Sequence, residues 1–346
     1  MIEAKPKPQH LSNLSQLEEY LVREFIEDYE DGIMSRRDLV GRVLHITGGI
    51  VATAALLSTL GVRPLSAAAQ DGTPPPMPTP TGPRSAVSVP ADDPRVVVAE
   101  ITFPAEDGAT IMAYQAMPTD GAMATPLANG AMATPEGMAG ALPLVLICHE
   151  NRGLTDHIRD VTRRWATQGY VACAVDLLSR EGGTAAVADP ASIPALLTGD
   201  TDPARHVADF RSAVTYYGTQ PFADTGRLAM TGFCFGGGIT WRAATEMPEM
   251  KAAAPYYGPP PPLEAVPNIQ AAVLGVYSAD PNDFANEGMP ELEQALAEAD
   301  VTFQINIYPD TQHAFHNDTS PRWNEEQALA AWEDTVAWFE QYAKGA

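Results

Sequence analysis

The sequence predicts an α/β fold in which a mostly parallel central sheet carries helices on both faces. Two observations predict it. Short apolar runs alternate along the chain with segments of helical period, the order that builds strand–helix–strand units. The most reactive side chains then follow directly on several of those runs, at the strand ends where open sheets place their chemistry.

The elements follow in order. Residues 95–103 and 109–116 read as a hairpin turned at Glu106-Asp107-Gly108. Residues 142–148 read as a central strand, 156–168 as a helix and 170–177 as the next strand. Residues 179–203 are rich in Gly, Ala and Pro and read as a lip over the site that selects substrate. A helix is expected over 204–218, and an apolar run at 227–230 leads through a glycine-rich turn into a helix over 237–246. Residues 252–257 form a strand, stopped by Gly258 and the four prolines after it. Strands at 271–278 and 301–308 flank a helix at 290–300. A last helix at 324–344 carries Trp332, Val336 and Phe339 at core spacing.

The glycine-rich turn reads Gly232-Phe233-Cys234-Phe235-Gly236-Gly237. A Gly-x-Cys-x-Gly sequence between strand and helix has the form of the nucleophile elbow of an α/β-hydrolase, with sulfur in the usual serine position. Residues without a Cβ relieve crowding around a strained nucleophile backbone, and the N-terminus of the next helix favours a thiolate. A buried cysteine in a Gly-rich turn is the plain alternative.

A nucleophile needs a base, and the base an orienting acid. Asp280 stands just past the strand at 271–278, and His313 lies in the loop after the strand at 301–308. The order nucleophile, acid, histidine is that of the α/β-hydrolases. Asp283 competes with Asp280 for the acid and His316 with His313 for the base; nearness to the strand ends favours Asp280 and His313. Tyr256 and Tyr257 end a neighbouring strand, and Tyr257 is a candidate substrate contact.

With these residues in place the chain resembles the dienelactone hydrolases. The resemblance rests on the Cys234 elbow, the turn His149-Glu150-Asn151-Arg152-Gly153, the Asp280 loop, the loop Gln312-His313-Ala314-Phe315 and, more weakly, Asp176-Leu177-Leu178-Ser179-Arg180. It spans about residues 95–345. It implies that Glu150 contacts the resting thiol and helps it lose its proton. It implies that the backbone N–H groups of Phe235 and Asn151 form the oxyanion hole, and that Arg180 pairs with Glu150 or with an anionic substrate. The expected reaction is cleavage of a lactone or carboxylic ester, with no cofactor. One departure bears on substrate: members acting on ring-opening intermediates of aromatic breakdown hold a carboxylate with an arginine shortly after the histidine. Here His313-Ala314-Phe315-His316-Asn317-Asp318 has none before Arg322.

Composition narrows the classes. The chain of 346 residues has a formal net charge of −23, nearly all of it beyond residue 69. Such acidity argues against a nucleic-acid partner, which would require a basic patch. No CxxC, HExxH or Gly-rich phosphate loop is present. Residues 1–69 read as an export signal with a long acidic leader. Ser35-Arg36-Arg37-Asp38-Leu39-Val40 resembles a twin-arginine pattern, the stretch 44–62 is apolar, and Ala67-Ala68-Ala69 offers a cleavage site. The expected partners are the twin-arginine export machinery and a small ester or lactone, with a membrane tether if the signal is not cleaved. The leader at 11–29 carries apolar residues at helical spacing. Residues 70–94 read as a proline-rich, poorly packed linker, and 95–346 as the hydrolase domain. Within it 117–140 reads as a disordered insertion, with a methionine-rich copper(I) loop as the alternative. Two further readings stay open: a binding domain without catalysis, and a redox protein pairing Cys234 with Cys148.

Overall fold

The computed structural model describes residues 14–62, 82–119, 140–199 and 203–345. The N-terminal part holds α1 (Gln16–Glu30), α2 (Arg36–Thr47) and α3 (Ile50–Thr59). Then come β1 (Val96–Pro104), β2 (Thr110–Pro118), β3 (Leu142–Cys148), α4 (Asp156–Thr167), β4 (Val171–Asp176), α5 (Ile193–Thr198) and α6 (Pro203–Tyr217). The chain continues through β5 (Ala223–Phe233), α7 (Phe235–Glu246), β6 (Ala252–Tyr256), β7 (Ala272–Ser278), α8 (Met289–Glu298), β8 (Phe303–Tyr308) and α9 (Glu325–Phe339). The described residues fall into two compact units, 14–62 with 188–199, and the remainder.

In the first unit, Ser15 starts α1 through a capping box with Glu18. Arg36 and Arg37 of the expected export signal open α2. Gly48 ends α2 in the left-handed conformation, at φ 67°. The apolar stretch is therefore two helices, α2 and α3, bent by 115°, and among the described residues no single helix is long and apolar enough to cross a membrane. The proposed cleavage site at Ala67-Ala68-Ala69 lies outside the described residues. Helix α5, expected in the lip over the site, belongs to this unit and packs against α1 and α2.

The second unit is an eight-stranded sheet in the order β1-β2-β4-β3-β5-β6-β7-β8. β1–β2 and β2–β4 are antiparallel, and every later pair is parallel. Strands β3, β4, β6 and β7 are buried along nearly their whole length, as expected of strands covered on both faces. The core is this sheet with α4, α7 and α9. Trp165 stacks on Phe339 at 4.9 Å and meets Trp332 at 4.7 Å, which locks α4 to α9.

One boundary differs from expectation. Residues 82–94, read as linker, belong to the sheet unit. The N–H groups of Arg84 and Ser85 donate to the Asp318 carboxylate at 3.0 and 2.8 Å, and the Val89 N–H donates to Asp160 at 2.6 Å. Proline content forecasts an extended path, which is what this segment has. It does not forecast that buried aspartates wait along that path. The expected insertion at 117–140 lies outside the described residues from 120 to 139, and its first two residues, Met117 and Pro118, instead close β2.

Candidate active site

Three parallel strand ends build the site. Cys148 of β3 pairs in register with Gly232 of β5, and Phe233 pairs with Tyr256 of β6. Glu150 and Cys234, each two residues beyond the first pair, thus leave neighbouring strands at the same level. Cys234 sits between β5 and α7 with φ 56° and ψ −119°. An L-residue rarely adopts that backbone. Two bonds hold it: the Cys234 N–H donates to the Tyr256 carbonyl at 3.0 Å, and the Cys234 carbonyl accepts from Gly238 at 3.1 Å. The turn closes because its glycines lack Cβ atoms. At Gly236 a Cβ would lie 2.5 Å from the carbonyl oxygens of Cys148 and His149, and at Gly232 it would lie 2.2 Å from the Gly236 oxygen. Phe235 opens α7, so its N–H faces out of the helix start, where no intrahelical acceptor exists. Asn151 is buried in the turn after β3, which the Gly153 N–H closes onto the Glu150 carbonyl at 3.2 Å.

His313 follows β8. A ring nitrogen of His313 lies within 4.8 Å of the Cys234 Sγ. The ring stacks on Phe284 at 5.0 Å and meets Tyr257 edge-on at 5.0 Å. Tyr257, a sequence candidate for substrate contact, is fully buried, has φ 36° and flanks the imidazole. Tyr256 belongs to the core, its hydroxyl donating to the Ala331 carbonyl at 3.0 Å.

The aspartate beside His313 is not the one expected. His313 Nδ1 lies 3.1 Å from Asp283 Oδ1, and Asp280 does not reach the ring. Asp280 opens a turn whose fourth residue, Asp283, donates its N–H to the Asp280 carbonyl at 3.1 Å. The Asp280 carboxylate caps the Asn282 N–H, partly exposed, while the turn swings Asp283 inward. Asp283 also accepts from Ser278 Oγ at 2.6 Å and from the Ala285 N–H at 2.9 Å. Burial alone would raise its carboxyl. The charge and hydrogen bond of His313, with these two donors, outweigh burial and hold it below the usual carboxylate range.

His316, the competing base, is buried and stacked on Phe233 at 5.1 Å. Burial, with the charges of Arg164 and His157, holds its pKa well below the ordinary histidine value. Arg180 also differs from expectation. It pairs not with Glu150 but with Asp209, through two bonds of 2.8 and 2.9 Å, and with Asp107 at 2.8 Å. Glu150 accepts instead from Asn317 Nδ2 at 2.7 Å, a partner on the His313 loop that no spacing rule pointed to. None of the three cysteines is disulfide-bonded. Burial raises the Cys148 thiol well above its ordinary value, opposite to what a redox partner of Cys234 requires.

Two neighbouring contacts brace the site. His149 Nδ1 donates to the Glu150 carbonyl at 2.7 Å while Nε2 accepts the Leu177 N–H at 3.2 Å, so the ring is neutral and ties β3 to β4. Beyond His313, the buried Asp318 accepts from His157 Nδ1 and Arg164 Nη2, each at 2.8 Å, and so anchors the His313 loop to α4. Arg84 adds bonds to the carbonyls of Asp318 and Ser320, both 2.8 Å, and lays its guanidinium over Trp323 at 4.7 Å.

A strained cysteine between strand and helix, with a His–Asp pair arriving from later loops of the same sheet, has the arrangement of an α/β-hydrolase. The chain belongs to the dienelactone hydrolase family, which it matches over residues 128–343. A Salmonella typhi protein named "Putative carboxymethylenebutenolidase" is 37% identical over 223 residues, covering 61% of this chain and 81% of that one. A protein of the same name from Methylorubrum extorquens is 32% identical over 262 residues, covering 71% and 82%. The crystal structure of "Putative Dienelactone Hydrolase" from Klebsiella pneumoniae superposes with a TM-score of 0.60 at 32% identity, over 71% of this chain and 99% of that one. This protein is therefore a carboxylic ester or lactone hydrolase.

Proposed function

We propose that the hydrolase works through Cys234 as a covalent nucleophile, with His313 as its base and Asp283 as the residue that orients the base. The observation that carries this reading is the placement of one imidazole between Asp283, at 3.1 Å, and the Cys234 sulfur, within 4.8 Å. With Nδ1–H donating to Asp283, the other ring nitrogen takes the thiol proton.

The sulfur attacks the carbonyl carbon of the ester or lactone, and the developing oxyanion rests on the amides of Phe235 and Asn151. The carbon–oxygen bond to the leaving group breaks, and that oxygen recovers the proton from His313. Water then attacks the acyl-thioester and gives a proton to His313, and the thiolate departs. Glu150 stands one strand away from the sulfur and assists its deprotonation. The N-terminal unit, with Arg36 and Arg37 at the head of α2, fits export in a folded state through a twin-arginine route, which delivers a catalytic thiol already inside its pocket.

The test is hydrolysis of p-nitrophenyl acetate and a panel of lactones by the wild type and by Cys234→Ala. The variant is expected to fold and to lose turnover, with a labelled acyl group retained on wild-type Cys234 after a rapid quench. Turnover retained by Cys234→Ala would refute the assignment.

A further inference from the structure

The partner of Glu150 bears on which substrates the site admits. Glu150 is buried, and its Oε2 accepts from Asn317 Nδ2 at 2.7 Å. Asn317 Oδ1 in turn accepts from the Thr319 N–H at 3.0 Å and from Thr319 Oγ1 at 2.7 Å. A backbone N–H can only donate, so these contacts fix the amide with its nitrogen toward Glu150. The carboxyl group is thus held in place by a partner that carries no charge. Among the described residues no lysine or arginine forms an ion pair with it.

Arg180, the nearest sequence candidate for a substrate anion, is committed elsewhere. It meets the Asp209 carboxylate with two parallel bonds, and the Asp209 side chain is 1% exposed. Turning Arg180 toward a ligand would strand a buried charge, which costs more than a surface contact returns. Arg205, one turn before Asp209 on α6, acts on the same carboxylate. A substrate carboxylate entering this site would therefore approach the charge of Glu150 with a neutral amide behind it, in a chain of net charge −23.

We propose that the site selects esters and lactones whose acyl group carries no charge, and that Asn317 is the positioning residue that sets this preference. The proposal rests on the Cys234 reading above. It is tested with a matched pair of activated esters, p-nitrophenyl butyrate and mono-p-nitrophenyl succinate, which differ at the far end of the acyl chain in a methyl against a carboxylate.

At neutral pH and low salt the wild type is expected to favour the butyrate by about tenfold or more in kcat/KM. Added salt should narrow the gap, as screening of a like-charge repulsion requires. Asn317→Arg is expected to narrow or invert the preference mainly through the KM for succinate. The wild-type comparison decides even if that variant fails to fold. Wild-type turnover that depends on Cys234 and takes the succinate as well as the butyrate, or better, overturns the proposal alone and would place a carboxylate-binding cation in the site. Turnover of neither ester, or of both by Cys234→Ala, sinks the nucleophile reading and the proposal with it.

Discussion

Asp283 Oδ1 lies 3.1 Å from His313 Nδ1, while the Asp280 carboxylate, three residues earlier, closes a turn onto the Asn282 N–H at 2.8 Å. The two aspartates share one loop and do different jobs: Asp280 shapes it and Asp283 uses it.

The first prediction separates them. Asp283→Asn keeps the shape but removes the charge that fixes the imidazole tautomer, and should lower kcat by about a thousandfold or more. Asp280→Asn keeps a capping oxygen and should leave kcat within about twofold. Steady-state kinetics on one activated ester decide it; equal losses in the two variants would contradict the assignment.

A second prediction concerns the loop that carries His313. Asp318→Ala removes the acceptor for His157, for Arg164 and for the N–H groups of Arg84 and Ser85. Arg164 and His157 are then left buried without this partner, and breaking such a buried pair costs about 3–5 kcal/mol. Arg84→Ala removes side-chain bonds near the surface and should cost only about 1–2 kcal/mol. Denaturant unfolding monitored by tryptophan fluorescence measures both, and a smaller loss for Asp318→Ala than for Arg84→Ala would argue against the anchor.

Stability should also fall in mild acid. Burial holds the pKa values of His149 and His316 below the ordinary 6.5. Below that value the unfolded chain takes up protons that the folded chain refuses, so stability present at neutral pH is lost as pH falls from about 6.5 toward the folded values. Two such groups give a slope of up to about 2.7 kcal/mol per pH unit. The lowered carboxyls of Asp283 and Asp318 act in the same direction at lower pH, below about 3.8. Unfolding free energies measured at several pH values between neutrality and about 5 check this. His149→Gln with His316→Gln should flatten the upper part of the curve, and an unchanged slope would assign it to other groups.

Much of the architecture was legible because its signals are local. Apolar runs, glycines and prolines marked β1 through β8 and the helices between them except α5, which lies in the stretch read as a lip, and the elbow announced itself because a strained turn demands particular residue types on both sides of Cys234. What stayed hidden depends on how loops fold back. Asp280 is nearer its strand end, yet the turn it caps presents Asp283 to the ring, so distance along the chain ranked the two in the wrong order for this contact. Arg180 pairs with Asp209, and Asn317 with Glu150, across separations of 29 and 167 residues that no periodicity encodes. The apolar stretch after the paired arginines carried hydrophobicity at the right length, but Gly48 bends it into two helices.

The docking of residues 84–89 onto Asp160 and Asp318 has a practical meaning for where this enzyme begins. A chain starting at Arg95 would retain every strand of the sheet together with Cys234, Asp283 and His313. It would lack the tether that closes the back of the histidine loop. Loss of everything up to Thr79 leaves that tether untouched. A chain that keeps the His313 loop anchored therefore starts ahead of Arg84, inside what its composition marks as spacer.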